Sequence, residues 1–171
     1  MLLNNYNMSS LNIDLELLES ISDIMCQKKL TVSVAESCTG GFVSSFFTYC
    51  SGASSFFNGA TINYSNASKI NLLGIDASII DNYGVVSKNV AEQMAQNVRL
   101  LHNTDYGLST TGYVDTYYDD DNNKCDNFHA WISVSHASKT ISQYINLEEN
   151  RVANIENVVY ALMKLFTKEI F

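Results

Sequence analysis

One stretch constrains this chain more than any other: Thr31 to Gly41, read T-V-S-V-A-E-S-C-T-G-G. Its first half, Thr31 to Ala35, is small and β-branched, which suits a buried strand. Glu36 and Ser37 break the run, and Cys38, Thr39, Gly40 and Gly41 follow. Val43, Phe46, Phe47 and Cys50 then recur at helical spacing. Strand, tight turn and helix start is the order these residues dictate. Such a junction aims unpaired backbone N–H groups and the positive end of a helix dipole at one spot. Ser37 stands there, able to meet an anion or a developing oxyanion. Ser37 and Thr39 suit a plain helix cap as well, so the stretch alone leaves cap and site both open. The glycine pair favours a site, since residues without side chains let a ligand approach the backbone.

A chain of 171 residues with 46% hydrophobic content fits one domain with a sizeable core. That domain is expected over residues 11–171, after a polar, flexible N-terminus at 1–10. The formal net charge is −8, and ten basic residues are scattered from Lys28 to Lys168. Without a concentrated basic patch, a nucleic-acid partner is excluded. Nothing approaches the roughly eighteen consecutive apolar residues of a membrane span. Met1 to Ser10 has neither the basic residue nor the long apolar run of a secretory signal. Cys26, Cys38, Cys50 and Cys125 form no C-x-x-C pair and read as reduced thiols of a cytoplasmic protein.

Along the chain, Leu17, Leu18, Ile21, Ile24 and Met25 predict an amphipathic helix from Leu11 to about Lys28. A helix over about Gly40 to Cys50 follows the central turn, then a loop at Ser51 to Ser54. A second strand is expected over Gly59 to Tyr64, and a short helix through Lys69, Leu72 and Leu73. Ala77 to Tyr83 reads as another short helical piece. Ser87 is a good N-cap for a long helix carrying Val90, Met94, Val98 and Leu101. Asp105 to Thr111 reads as a third strand. From Tyr113 to Asn127 the chain is polar, acidic and without periodicity, which predicts a surface loop. Phe128 to Ser135 and Thr140 to Leu147 suit a hairpin, and a last helix starts near Asn150. Strands alternating with helices and then a hairpin indicate an α/β layer fold with a mixed sheet.

A serine needs a base, and Tyr64-Ser65-Asn66-Ala67-Ser68-Lys69 offers the best one. If the second strand neighbours the first, Tyr64 and Lys69 both reach the mouth where Ser37 sits. A desolvated lysine there has a depressed pKa and acts as a neutral base; a phenol passes the proton on or holds geometry. In bland terms Tyr64 is a strand-end aromatic and Lys69 a solvated helix residue, and the residues alone favour that. Cys38 shares the helix N-terminus and is a rival nucleophile, although no histidine is placed near it. The acidic run from Asp115 to Asp126 lacks the glycine and final glutamate of a calcium loop, so it reads as solvated rather than metal-binding. Arg151, one of two arginines, opens the last helix and suits an anion or plain solvent.

Three segments in particular carry a resemblance. A-E-S-C-T-G-G at Ala35 to Gly41, S-G-A-S-S-F-F at Ser51 to Phe57 and Y-S-N-A-S-K at Tyr64 to Lys69 resemble the C-terminal domain family of the CinA competence-damage proteins. The match continues in order through L-L-G-I at Leu72, Y-G-V-V-S at Tyr83, E-Q-M-A at Glu92 and D-Y-G-L-S-T-T-G at Asp105 to Gly112. The resemblance implies a three-layer α/β/α sandwich, present here in stand-alone form. It implies hydrolysis of the carboxamide of nicotinamide mononucleotide, a step of NAD salvage, giving nicotinate mononucleotide and ammonia. The family's serine, tyrosine and lysine fall on Ser37, Tyr64 and Lys69. Thr39, Gly40, Gly41, Thr111, Gly112 and Arg151 are the substrate-binding positions it implies. No cofactor and no metal are required; the partner is a small nucleotide substrate, and a homodimer is compatible.

This sequence departs from the family after the third strand. A glycine-rich G-I-A-G-P-x-G-G loop is replaced by Gly112-Tyr113-Val114-Asp115-Thr116-Tyr117-Tyr118. Three tyrosines stand where small residues let the backbone approach a ligand, and Asp115 adds negative charge. Like charges about 4 Å apart cost ~4 kcal/mol at an effective dielectric near 20. The G-D-R before the last helix is reduced to Arg151, and the motif's second arginine is Ile155. The chemical trio is kept while the substrate-holding parts are eroded. Three functions therefore stand side by side: an amidohydrolase on the mononucleotide, an amidase for a smaller and less anionic amide, and a silent or repurposed relative that binds another ligand or partner.

Overall fold

The computed structural model describes residues 14–119 and 121–171, so the expected flexible segment at 1–10 lies outside the described residues. Helix α1, Leu15–Lys28, starts where the Asp14 carboxylate accepts the Leu17 N–H at 3.0 Å, and it ends at Lys29 in the left-handed region. Leu18, Ile21 and Met25 form its buried stripe. Strand β1, Val32–Glu36, is buried along its whole length. Its period-two alternation divides the molecule. Val32 and Val34 enter one core, while Ala35 joins the other.

Helix α2, Phe42–Thr48, begins two residues later than the apolar rhythm suggests, because Gly40 (φ 58°) and Gly41 (φ 108°) adopt turn conformations that side chains resist. Strand β2, Phe57–Ile62, then lies parallel to β1; it starts earlier and stops earlier than expected. Short helices α3 (Asn66–Asn71) and α4 (Ala77–Tyr83) lead to α5, Lys88–His102, capped by Ser87 as its sequence predicts. Strand β3, Tyr106–Tyr113, pairs in parallel with the other side of β1. The long antiparallel hairpin of β6 (Phe128–His136) and β7 (Lys139–Leu147) completes a five-stranded mixed sheet of order β2-β1-β3-β6-β7. Helix α6, Arg151–Ile170, ends the chain.

Three layers result. Helices α1, α2 and α6 cover one sheet face around a core that includes Phe47, Phe56, Leu108, Ile132, Leu162 and Phe166. Helix α5 covers the other face, with α4 packed against it. That second interface is tight because the sheet presents small and hydroxyl residues to it. Ser33 Oγ donates to the Val98 carbonyl (3.0 Å) and Ser109 Oγ to the Ala91 carbonyl (2.6 Å). A Cβ on Gly107 would sit 2.1 Å from the Ala95 carbonyl oxygen. No helix among the described residues is long and apolar enough to cross a membrane.

The acidic segment after β3 is more ordered than its composition suggests. Two short strands, β4 (Tyr117–Tyr118) and β5 (Lys124–Cys125), pair antiparallel. Thr116 Oγ1 donates to Asp126 Oδ1 at 2.7 Å and Lys124 reaches the other carboxylate oxygen at 2.9 Å. The first of these contacts joins residues ten positions apart, which no local periodicity signals.

Candidate active site

The carboxyl ends of β1, β2 and β3 converge on one crevice, the place where parallel α/β sheets hold ligands. It encloses about 250 Å³ and is lined by Ser37, Lys69, Tyr64, Thr111, Gly112 and Arg151 among others. Six of the nine positions singled out from the sequence thus face a common space.

Its chemistry starts with Ser37, the first residue after β1. The Ser37 N–H donates to the Thr110 carbonyl at 3.1 Å, which pins the turn to β3. Lys69 lies in α3, whose N-cap Ser65 accepts the Ser68 N–H. That placement drives the Lys69 side chain inward until it is only 1% exposed. Its Nζ donates to Ser37 Oγ at 2.9 Å and to the Asn63 carbonyl at 2.7 Å. No carboxylate forms an ion pair with it among the described residues. Burial therefore brings its pKa down to about 8, with nearby Cys38 acting in the opposite sense. A lysine that gives up its proton near neutrality, in contact with a serine hydroxyl, is a base in position.

Cys38 is placed otherwise. Its thiol is buried, and burial pushes it up to about 12 against the opposing hydrogen bond of Thr110. It stays a protonated thiol and cannot rival Ser37 as nucleophile.

Three positions assigned to substrate are not among the residues that line the crevice. Thr39 is fully buried, and its hydroxyl donates to Glu36 Oε2 at 2.7 Å. The Gly41 N–H donates to the same oxygen at 2.9 Å, and the Gly40 N–H donates to the Ser37 carbonyl at 3.1 Å. Val43 and Ser44 also direct their N–H groups to Glu36, at 3.1 and 2.8 Å. The helix terminus that looked free for an anion already holds one, the buried Glu36 carboxylate. Neither Ser37 nor Thr39 is the cap. Glycine at 40 and 41 serves the turn, where both residues have positive φ.

Tyr64 and Arg151 form the rim. Tyr64 is 61% exposed and makes no hydrogen bond to Ser37 or Lys69 among the described residues. Its hydroxyl accepts from Arg151 Nη2 at 2.8 Å instead. Asn150 starts α6 by accepting the Val152 and Ala153 N–H groups, which sets Arg151 at the helix tip. Thr111 donates its hydroxyl to the Val85 carbonyl (2.9 Å). Gly112 is glycine because a Cβ would come within 2.7 Å of the Ala130 Cβ across the β3–β6 pair.

Two residues that sequence reasoning missed hold the arrangement. Asn63 is fully buried; its N–H donates to the Glu36 carbonyl (2.6 Å) and its side-chain amide to the Ser68 carbonyl (3.2 Å). It thereby ties β1, β2 and α3 together around the Lys69 amine. An asparagine directly after the strand run was the available signal. Asn154, also fully buried, donates to the Val114 carbonyl at 3.0 Å and fixes the loop after β3 to α6. On that loop Tyr113 and Tyr117 stack with ring centroids 3.6 Å apart and planes 8° apart. Both, with Asp115, line the crevice. No cluster of three His, Cys, Asp or Glu among the described residues is arranged to hold a metal ion.

A three-layer α/β/α fold with a serine–lysine pair at the strand ends defines the class of this chain. It belongs to the CinA C-terminal domain family, whose model matches residues 14–170. A CinA-like protein of Amoebophilus asiaticus is 34% identical over 152 residues, covering 89% of this chain and 36% of that protein. A putative competence-damage inducible protein of Thermoanaerobacter sp. (strain X514) is 48% identical over 97 residues, covering 57% of this chain and 24% of that protein. The chain thus spans about a quarter to a third of the length of these curated relatives. Among solved structures, the competence damage-inducible protein A of Klebsiella pneumoniae superimposes with a TM-score of 0.85 at 17% identity, covering 93% of this chain and 98% of that one. The CinA superfamily protein of Enterobacter cloacae gives 0.86 at 18% identity over the full length of both. At such identities these two structures speak for the fold.

Proposed function

We propose that this protein is a serine-dependent amidohydrolase that converts nicotinamide mononucleotide to nicotinate mononucleotide and ammonia. One observation carries the proposal: the buried Lys69 amine lies 2.9 Å from Ser37 Oγ with no counter-ion beside it among the described residues. Neutral Lys69 takes the Ser37 hydroxyl proton as Oγ bonds to the carboxamide carbon. The resulting ammonium then protonates the departing nitrogen as the C–N bond breaks, releasing ammonia and leaving an acyl ester on Ser37. Lys69, neutral again, deprotonates a water that attacks the ester, and returns that proton to Ser37 Oγ as it leaves. Tyr64, whose oxygen accepts from Arg151, keeps its own proton to donate to the substrate. That makes it an orienting donor rather than a relay. Release into a cytoplasmic pyridine-nucleotide pool fits the free thiols.

The test is ammonia release by the purified protein from the mononucleotide. Turnover that vanishes in Ser37→Ala and persists in Cys38→Ala supports the proposal. Absence of turnover across pH 7 to 9 overturns it and leaves a relative that binds without catalysis.

A further inference from the structure

The part of the crevice lining that follows β3 has a chemistry of its own. Two parallel phenol rings, Tyr113 and Tyr117, and the carboxylate of Asp115 line the same 250 Å³ crevice as Ser37 and Lys69. Asp115 accepts the Thr116 N–H at 2.8 Å and has no ion-pair partner among the described residues. The loop that carries all three is fixed from beneath, since Val114 is buried in the core and its carbonyl accepts from Asn154. Each ring covers one face of the other, so the stack offers a cation the negative side of a quadrupole only on its outer faces, and a carboxylate stands between the two in sequence. Such a surface suits a cation, above all a flat one. It offers a phosphate nothing. The crevice's buried cation, Lys69, spends its contacts on Ser37 and Asn63, and Arg151 on the rim already contacts Tyr64.

A pyridine ring substituted on its nitrogen is a flat, permanent cation. We propose that Tyr113, Tyr117 and Asp115 form a recognition site for that charge, so that the substrate class is an N-substituted pyridinium-3-carboxamide and the phosphate of a mononucleotide is dispensable. The reaction's product gains a carboxylate, and Asp115 then works against retention and hastens release. The proposal deepens the amidohydrolase assignment in naming its substrate, but its binding arm does not depend on catalysis.

The test uses the Ser37→Ala protein, which cannot form an acyl ester, and calorimetric titration with N-methylnicotinamide cation and with uncharged nicotinamide. The cation is expected to bind about tenfold more tightly. Tyr117→Leu and Asp115→Asn, each added to Ser37→Ala, should remove most of that difference and leave nicotinamide affinity within twofold. Tyr117→Phe, which keeps the ring, should preserve it and controls for a folding defect. In the protein with Ser37 intact, the riboside should be hydrolysed with kcat/KM at least equal to that of the mononucleotide. Equal affinity for the two probes overturns the proposal, as does a preference that survives both Tyr117→Leu and Asp115→Asn. A protein that prefers the cation yet releases no ammonia overturns the amidohydrolase assignment alone.

Discussion

Arg151 Nη2 donates to the Tyr64 hydroxyl across 2.8 Å, joining the tip of α6 to the end of β2 over residues 87 positions apart in the chain. The contact spans the mouth of the crevice whose floor is Ser37 and Lys69. Both side chains are exposed, so the bond itself adds little stability. Its consequence is orientation: the phenol proton and the remaining guanidinium donors are held toward whatever enters. Arg151→Ala should raise KM about tenfold for the riboside and the mononucleotide alike, with kcat changed less than threefold, since a hydrogen bond from a charged donor to the part the two substrates share is worth about 1.5–3 kcal/mol. Tyr64→Phe should lower kcat by a similar factor. Steady-state kinetics of the two variants checks the division.

The Lys69 amine sets a pH profile. With a pKa near 8 it is mostly protonated at pH 7 and half neutral one unit higher. Ammonia release should therefore climb with pH, tenfold per unit below the pKa, and level off above about 8. Lys69→Arg, whose guanidinium keeps its proton, should lose at least 100-fold at every pH. A flat profile between pH 6 and 9 would remove Lys69 from the base role.

How much of this was legible in the residues varies with the range of the interaction that decides it. The strand–turn–helix at Thr31 to Thr48 is encoded by a change of period, and the Ser87 cap by one residue. Fold class followed from alternating elements and from the resemblance alike. The meeting of Ser37 with Lys69, 32 positions away, came from resemblance alone, because spacing favoured a solvated lysine. Glu36 was visible only as a polar break. Nothing local says that a carboxylate at a strand end folds back under four residues to collect the N–H groups of Gly41, Val43 and Ser44. The β4–β5 pairing was missed because its partners, Tyr117 with Cys125 and Tyr118 with Lys124, and the Thr116–Asp126 bond beside them join residues six to ten positions apart without any periodic pattern. Composition saw only acid.

Glu36 itself gives a stability prediction. Its two oxygens accept only donors, from Thr39, Gly41, Val43 and Ser44. In Glu36→Gln the new NH2 group must face N–H or O–H donors, so one side of the site is lost however the amide is turned. The cost should be about 3 kcal/mol, lowering Tm by roughly 6–12 °C for a chain of this size. Thermal unfolding followed by circular dichroism measures it, and a loss under 1 kcal/mol would show that the carboxylate is not the cap.

Thiol chemistry separates Cys38 from its neighbours. Held up at about 12 and buried, it stays protonated throughout the neutral range, whereas Cys26 is exposed. Treatment of the folded protein with iodoacetamide at pH 7.5 should alkylate Cys26 and spare Cys38, as peptide mass mapping would report. Cys38→Ala should keep ammonia release within about threefold. A stoichiometric label on Cys38 that abolishes activity would return the thiol to contention.

Desolvation of Lys69 also links stability to pH, and the sign follows from the two end states. The folded pKa, about 8, lies below the ordinary lysine value of 10.5, so the folded protein resists the charged form. Below pH 8 the amine is protonated in both states and the whole penalty is present. Between 8 and 10.5 the folded state has released its proton while the unfolded chain still binds one, so stability gained from this group rises with pH. Lys69→Met has no proton to release and retains every other titrating group, Cys38 included. Its advantage over the parent protein in urea midpoint should be largest at pH 7 and shrink steadily toward pH 10. A gap of constant width across that range would mean that the amine is solvated in the folded protein.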